Sequence, residues 1–174
     1  MCKLNIDTRE QDFLLARHIV ATVSAVAVCV PRALLAVCEA RTSSRAARVT
    51  LFNLATSAVV GAPITPPSQR TVVACAFAPS GKTLAVQCGA PAHSLTFLRT
   101  ETQAVLATRQ IGQAIAHMSA SPADDALVCL AGKRYLRLQR REGKEVEELE
   151  LLYERRERQH HFTETVWLRC DCVK

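Results

Sequence analysis

The chain has 174 residues, with 22 Lys and Arg against 16 Asp and Glu, and a formal net charge of +6. That length suits one ordinary domain; the 49% hydrophobic fraction is ample for a core, but with only 5% aromatic residues the core must be built from Ala, Val and Leu. The positive excess is scattered through turns (Arg32, Arg41, Arg45, Arg48, Arg70), without the clustering and stacking aromatics of a nucleic-acid face, so no nucleic-acid partner is expected.

In chain order, residues 1 to 17 read as strand, polar turn, strand, around Leu4 to Leu15. Ile19 to Val30 follows, apolar apart from Thr22 and Ser24. It is too short to span a membrane, and Pro31-Arg32 interrupts it. A secretory signal would carry a basic segment ahead of it, whereas Asp7, Glu10 and Asp12 stand there. It is expected to be a buried strand, and no membrane partner is expected.

One phrase then recurs. Val73 to Val86 is an apolar run, a Pro79-Ser80-Gly81-Lys82 turn, and a second apolar run. Proline pre-sets φ for a turn and Gly81 supplies the permissive backbone, so the stretch predicts a β-hairpin. Val26 to Val37, around Pro31, and Ile115 to Cys129, around Pro122, repeat it. A second hairpin type, with a Thr- and Glu-rich turn, alternates with the first at Leu51–Val60, Thr96–Leu106 and, in degenerate form, Leu136–Val146. A period of roughly 40–50 residues is that of four-stranded propeller blades.

The expected fold class is therefore all-β, a partial propeller of about three four-stranded blades plus flanking strands. Residues 1–17 would end one blade, 21–62, 72–110 and 114–153 would form three, and 160–174 would open the next, truncated. Gly61 to Arg70 is expected to connect two blades, and Arg41–Ala47 and Gly89–His93 to be loops within blades. Glu145 to Arg158 has both helical and strand spacing, and the repeat register favours a final blade strand over its first part. Three blades and fragments cannot close a ring, and an open arc leaves edges exposed. The sequence is expected to be a piece of a longer protein or an abbreviated product of one.

Chemistry is sparse. Gly81-Lys82-Thr83 ends like a phosphate-binding loop, but Ala76 stands where that loop needs glycine, and an apolar strand follows in place of a helix. Cys170 and Cys172, one residue apart, with adjacent His160 and His161, have poor zinc spacing. His18, His93 and His117 are isolated, and Asp124-Asp125 sits in a proline turn where Asp favours turn geometry. Of the eight cysteines, Cys29, Cys38, Cys75, Cys88 and Cys129 lie in or beside apolar runs as small hydrophobes, not in the loop-separated framework of a secreted mini-protein. A reducing compartment is expected. No catalytic, cofactor-binding or metal site residue is assigned and no cofactor is expected. Arg41, Arg45, Arg48, Lys133, Arg134, Arg140 and Arg141 are expected as rim or outer-strand charges able to steer acidic partners.

The hairpins resemble those of WD-repeat propellers: Phe77-Ala78-Pro79-Ser80-Gly81-Lys82 looks like the phrase between a blade's first two strands. Phe52-Asn53 stands where that family has Trp-Asp, with Leu4-Asn5 and Phe97-Leu98 in the other copies. The ordered landmarks Asn5 to Gln11, Thr83 to Gln87 with Gly89-Ala90-Pro91, and His161 to Trp167 are similar to the N-terminal propeller of the cilia- and flagella-associated protein 57 family. That resemblance implies a non-enzymatic scaffold or adaptor in the cytoplasm and cytoskeleton, on the axoneme of motile cilia and flagella. The implied partners are inner dynein arm components and tubulin within a larger assembly. The alternatives are a general intracellular WD-repeat adaptor, a non-functional fragment of a longer propeller protein, or a secreted β protein.

Overall fold

The computed structural model describes residues 2–4, 6–13, 19, 21–149, 151 and 160–168. A two-stranded hairpin of β1 (Cys2–Leu4) and β2 (Gln11–Phe13) comes first. Three four-stranded antiparallel sheets follow, each in simple meander order. The first holds β3 (Val23–Cys29), β4 (Leu34–Glu39), β5 (Arg48–Asn53) and β6 (Val59–Ile64). The second holds β7 (Val72–Phe77), β8 (Thr83–Cys88), β9 (Ser94–Arg99) and β10 (Val105–Gln110). The third holds β11 (Ile115–Ala120), β12 (Leu127–Gly132), β13 (Tyr135–Glu142) and β14 (Glu145–Leu149). The first part of the ambiguous Glu145–Arg158 segment is thus strand; Glu154–Arg158, His18, Cys170 and Cys172 lie outside the described residues.

The first strands β3, β7 and β11 pack side by side, so the sheets fan out from a common axis. The second sheet therefore has a neighbouring sheet on each face. This is why β8 is a near-continuous apolar run and buried throughout; strands covered on both faces lose the usual polar alternation. Register splits the middle sheet in two. Leu84 pairs with Leu98 and, with Val86 and Cys88, faces Leu34, Ala36 and Cys38 of the first sheet. Ala85 pairs with Phe97 and, with Leu95, faces Met118, Val128 and Leu130 of the third.

Each first strand carries a β-bulge at the same place, between Val23 and Ala25, Val72 and Ala74, and Ile115 and His117. A bulge bends its strand and sharpens the local twist, so the same bend recurs three times along the axis. At the perimeter, Arg109 of β10 donates to the Val146 carbonyl (2.9 Å) and lies 3.8 Å from Glu148 of β14. Glu148 also accepts from Gln139 (2.9 Å) and Arg137 (3.0 Å). Burial opposes its ionisation, but these bonds and the two arginine charges hold it below the ordinary carboxylate range. Burial first, then the Glu148 charge, push the Tyr135 phenol up to about 12.

Two expectations are corrected. The connecting loop begins at Thr65, not Gly61, because β6 runs through Pro63 to Ile64. β6 is an edge strand, where a residue without an N–H costs no ladder bond. Within the Ile19–Val30 run the strand is Val23–Cys29, buried on one face only: Ala25 and Ala27 pack on the core, while Val26 (51%) and Val28 (54%) are exposed. Residues 160–168 cross β11, where Ser119 bonds the Thr165 hydroxyl (2.7 Å) and accepts from the Trp167 indole (3.0 Å).

Candidate functional site

The three proline turns between first and second strands fall on one rim. In the first sheet the turn is a single 3-10 turn, Val30–Arg32, closed by Ala33 in the left-handed region. In the second, Gly81 donates to the Ala78 carbonyl (2.9 Å) with φ +67°. A Cβ there would collide with Cys29 Sγ and the Arg32 side chain, so glycine is required by conformation and by space. In the third, the Ser121 hydroxyl accepts from the Ala123 and Asp124 amides and Asp124 Oδ1 accepts from Ala126.

The rim is tied both across and within the sheets. Asp125 accepts the Ser80 amide (3.0 Å) on one carboxylate oxygen and the Ser80 hydroxyl on the other. Arg32 reaches Glu101 at 2.9 Å. The Thr100 hydroxyl donates to the Gly81 carbonyl (2.8 Å). Asp124 is paired with Arg140 at 2.8 Å, and that hydrogen bond above all holds its carboxyl below the ordinary value. Both aspartates are therefore turn fasteners.

Two concavities open on this rim. One, of about 370 Å³, is lined by the ends of the first strands and their prolines: Val28, Val30, Pro31, Phe77, Pro79 and Pro122. Val30 is 80% exposed beside it. The other, of about 430 Å³, lies between the second and third sheets and takes Lys82, Arg99 and Arg141 together with Glu101, Asp125 and Leu106. An apolar depression and a charged groove on a rigid strand scaffold are features of a docking surface.

The residues singled out from the sequence distribute as follows. Gly81, Lys82 and Thr83 lie in a hairpin turn that runs straight into β8. His93 sits in a loop at φ 43° and His117 on β11; His160 and His161 are exposed. Among the described residues no group of three or more His, Cys, Asp or Glu is placed to hold a metal ion. No described helix is long and apolar enough to cross a membrane. Arg48 is no rim charge: it holds Glu39, which is 1% exposed. Arg41 and Arg45 are exposed in the β4–β5 loop, at the opposite rim. The Cys38 thiol is pushed up by the hydrogen bond it shares with Cys75, which favours its protonated form, and then by burial, and burial raises Cys88 and Cys129. The charged groove was missed in part, because Arg99 and Lys82 come from different strands and meet only in three dimensions.

No protein-family model and no curated protein matches the chain. Solved structures do. The β-propeller domain of Cps50 (Swd1) from Myceliophteria thermophila aligns with TM-score 0.62 and 10% identity, over 75% of this chain and 39% of that one. Sqt1 from Saccharomyces cerevisiae aligns with TM-score 0.58 and 12% identity, over 75% and 35%. A chain of the mitotic checkpoint complex aligns with TM-score 0.60 and 18% identity, over 73% and 39%. This chain thus spans less than two fifths of the length of each. At these identities the likeness speaks to fold alone, and the fold is that of a partial β-propeller.

Proposed function

We propose that this chain is a non-enzymatic protein-interaction scaffold of motile cilia and flagella, held on the axoneme with inner dynein arm components and tubulin as partners. The observation that carries the scaffold reading is the convergence of three repeated proline turns on one rim, with Ser80–Asp125 tying the second to the third and Arg32–Glu101 tying the first to the β9–β10 turn. Such a rim presents side chains on a rigid base without assembling reacting groups. The axonemal assignment rests on the ordered landmarks from Asn5 to Trp167, and the blade limits 21–62, 72–110 and 114–153 belong to the same reading. An antibody against this segment, applied to whole-cell, cytosolic and axonemal fractions, tests it. Enrichment in the axonemal fraction is the expected result. A signal confined to the cytosol would replace it with a general intracellular adaptor.

A further inference from the structure

We infer that the charged groove between the second and third sheets binds a glutamate- and aspartate-rich segment of a partner protein. The inference rests on reading the rim as a docking surface and adds the chemistry of what docks. Three cations line the groove: Lys82 in the turn just before β8, Arg99 at the end of β9 and Arg141 on β13. Two carboxylates line it too; Glu101 is neutralised by Arg32, Asp125 keeps its negative charge, and the three cations still outweigh it. Glu101 is paired with Arg32 at 2.9 Å, and both oxygens of Asp125 are taken by Ser80. Asp124 nearby is held by Arg140.

Among the described residues, none of the three lining cations forms an ion pair. Arg141 is also under-satisfied. It makes one side-chain hydrogen bond, from Nη1 to the Gly143 carbonyl (3.2 Å), and its Nε is buried without a partner. That nitrogen has lost water without gaining an acceptor, and a carboxylate in the groove would supply one. Half-buried Leu106 gives the floor an apolar element. Three cations brought together from separate hairpins suit an extended peptide with several carboxylates better than a single small anion.

The test is fluorescence anisotropy of a labelled polyglutamate peptide titrated with the 174-residue chain at low salt, where surface charge is least screened. Lys82→Glu combined with Arg99→Glu should weaken binding by about tenfold or more, since each exposed pair turns from attractive to repulsive. Lys82→Arg should bind as the parent does. Arg41→Glu combined with Arg45→Glu, the same charge change at the opposite rim, should shift affinity by less than about twofold. All four positions changed in the two double variants are on exposed side chains, and circular dichroism verifies that each variant is folded. Equal loss in both double variants would mean attraction to net charge only and would overturn the inference. So would equal affinity for a single-stranded oligonucleotide of matched charge, or no peptide binding by the parent. Failure of peptide binding with retained axonemal enrichment sinks this inference alone; peptide binding with a purely cytosolic protein sinks the axonemal assignment alone.

Discussion

Glu39 closes the second strand of the first sheet, directly across from Arg48 on β5. Its carboxylate accepts Arg48 Nε at 3.0 Å and Arg48 Nη2 at 2.9 and 3.2 Å, and it accepts the Ala21 amide at 2.8 Å. The Glu39 side chain is 1% exposed and that of Arg48 25%. Replacing Glu39 by leucine keeps the volume but strands the guanidinium and an amide that were desolvated for this carboxylate. Removing one partner of a fully buried pair costs about 3–5 kcal/mol; the part of Arg48 that reaches water lowers that to about 3 kcal/mol. With a urea slope of about 2 kcal/mol/M, the midpoint should fall by about 1.5 M, read by far-ultraviolet circular dichroism. Adding Arg48→Met to Glu39→Leu should recover much of the loss, because two apolar partners leave no stranded charge. A Glu39→Leu midpoint unchanged from the parent, or a double variant no more stable than the single, would refute this account of the pair.

Leu84 and Val86 are both fully buried on the face of β8 that meets the first sheet. Leu84→Asp and Val86→Asp should each abolish the cooperative unfolding transition, and a wild-type midpoint in either would count against the strand register. Asp124 and Glu148 both have lowered folded-state pKa values. The stability they contribute is complete above about pH 5, beyond the unfolded carboxylate values near 4, and is lost as pH falls. Thermal midpoints should therefore drop on acidification, and less steeply in an Arg140→Ala, Glu148→Gln variant. The raised thiols of Cys38, Cys88 and Cys129 should resist iodoacetamide in the native protein at mildly alkaline pH and react once it is denatured; peptide mass mapping reads the difference.

What the residues made legible was the hairpin. Proline turns, apolar runs and their spacing point to four-stranded sheets, because turn chemistry is local. Relations across sheets were not legible. Ser80 and Asp125 are 45 residues apart, and nothing in a Pro-Ser-Gly-Lys turn says that a distant aspartate holds it. Gln87 and Gln139 are fully buried although their chemistry predicts exposure; Gln139 is accounted for by Tyr135 and Glu148, groups that tertiary packing brings near. Equally, Val26 and Val28 look like core residues, but whether the second face of a strand is covered depends on what lies beside the sheet.

The tie that Arg109 makes to β14 has a mechanical meaning. Along the axis, β7 and β11 meet through packed side chains, while at the perimeter the same two sheets are joined by an arginine, a carbonyl and a carboxylate. The first kind of contact is indifferent to moderate salt and the second is weakened by it. The pair of sheets therefore behaves like a book with an apolar spine and an electrostatic clasp. Raised ionic strength should loosen that clasp first, while the apolar layer beneath, which reaches Ala107 and Val146, stays closed.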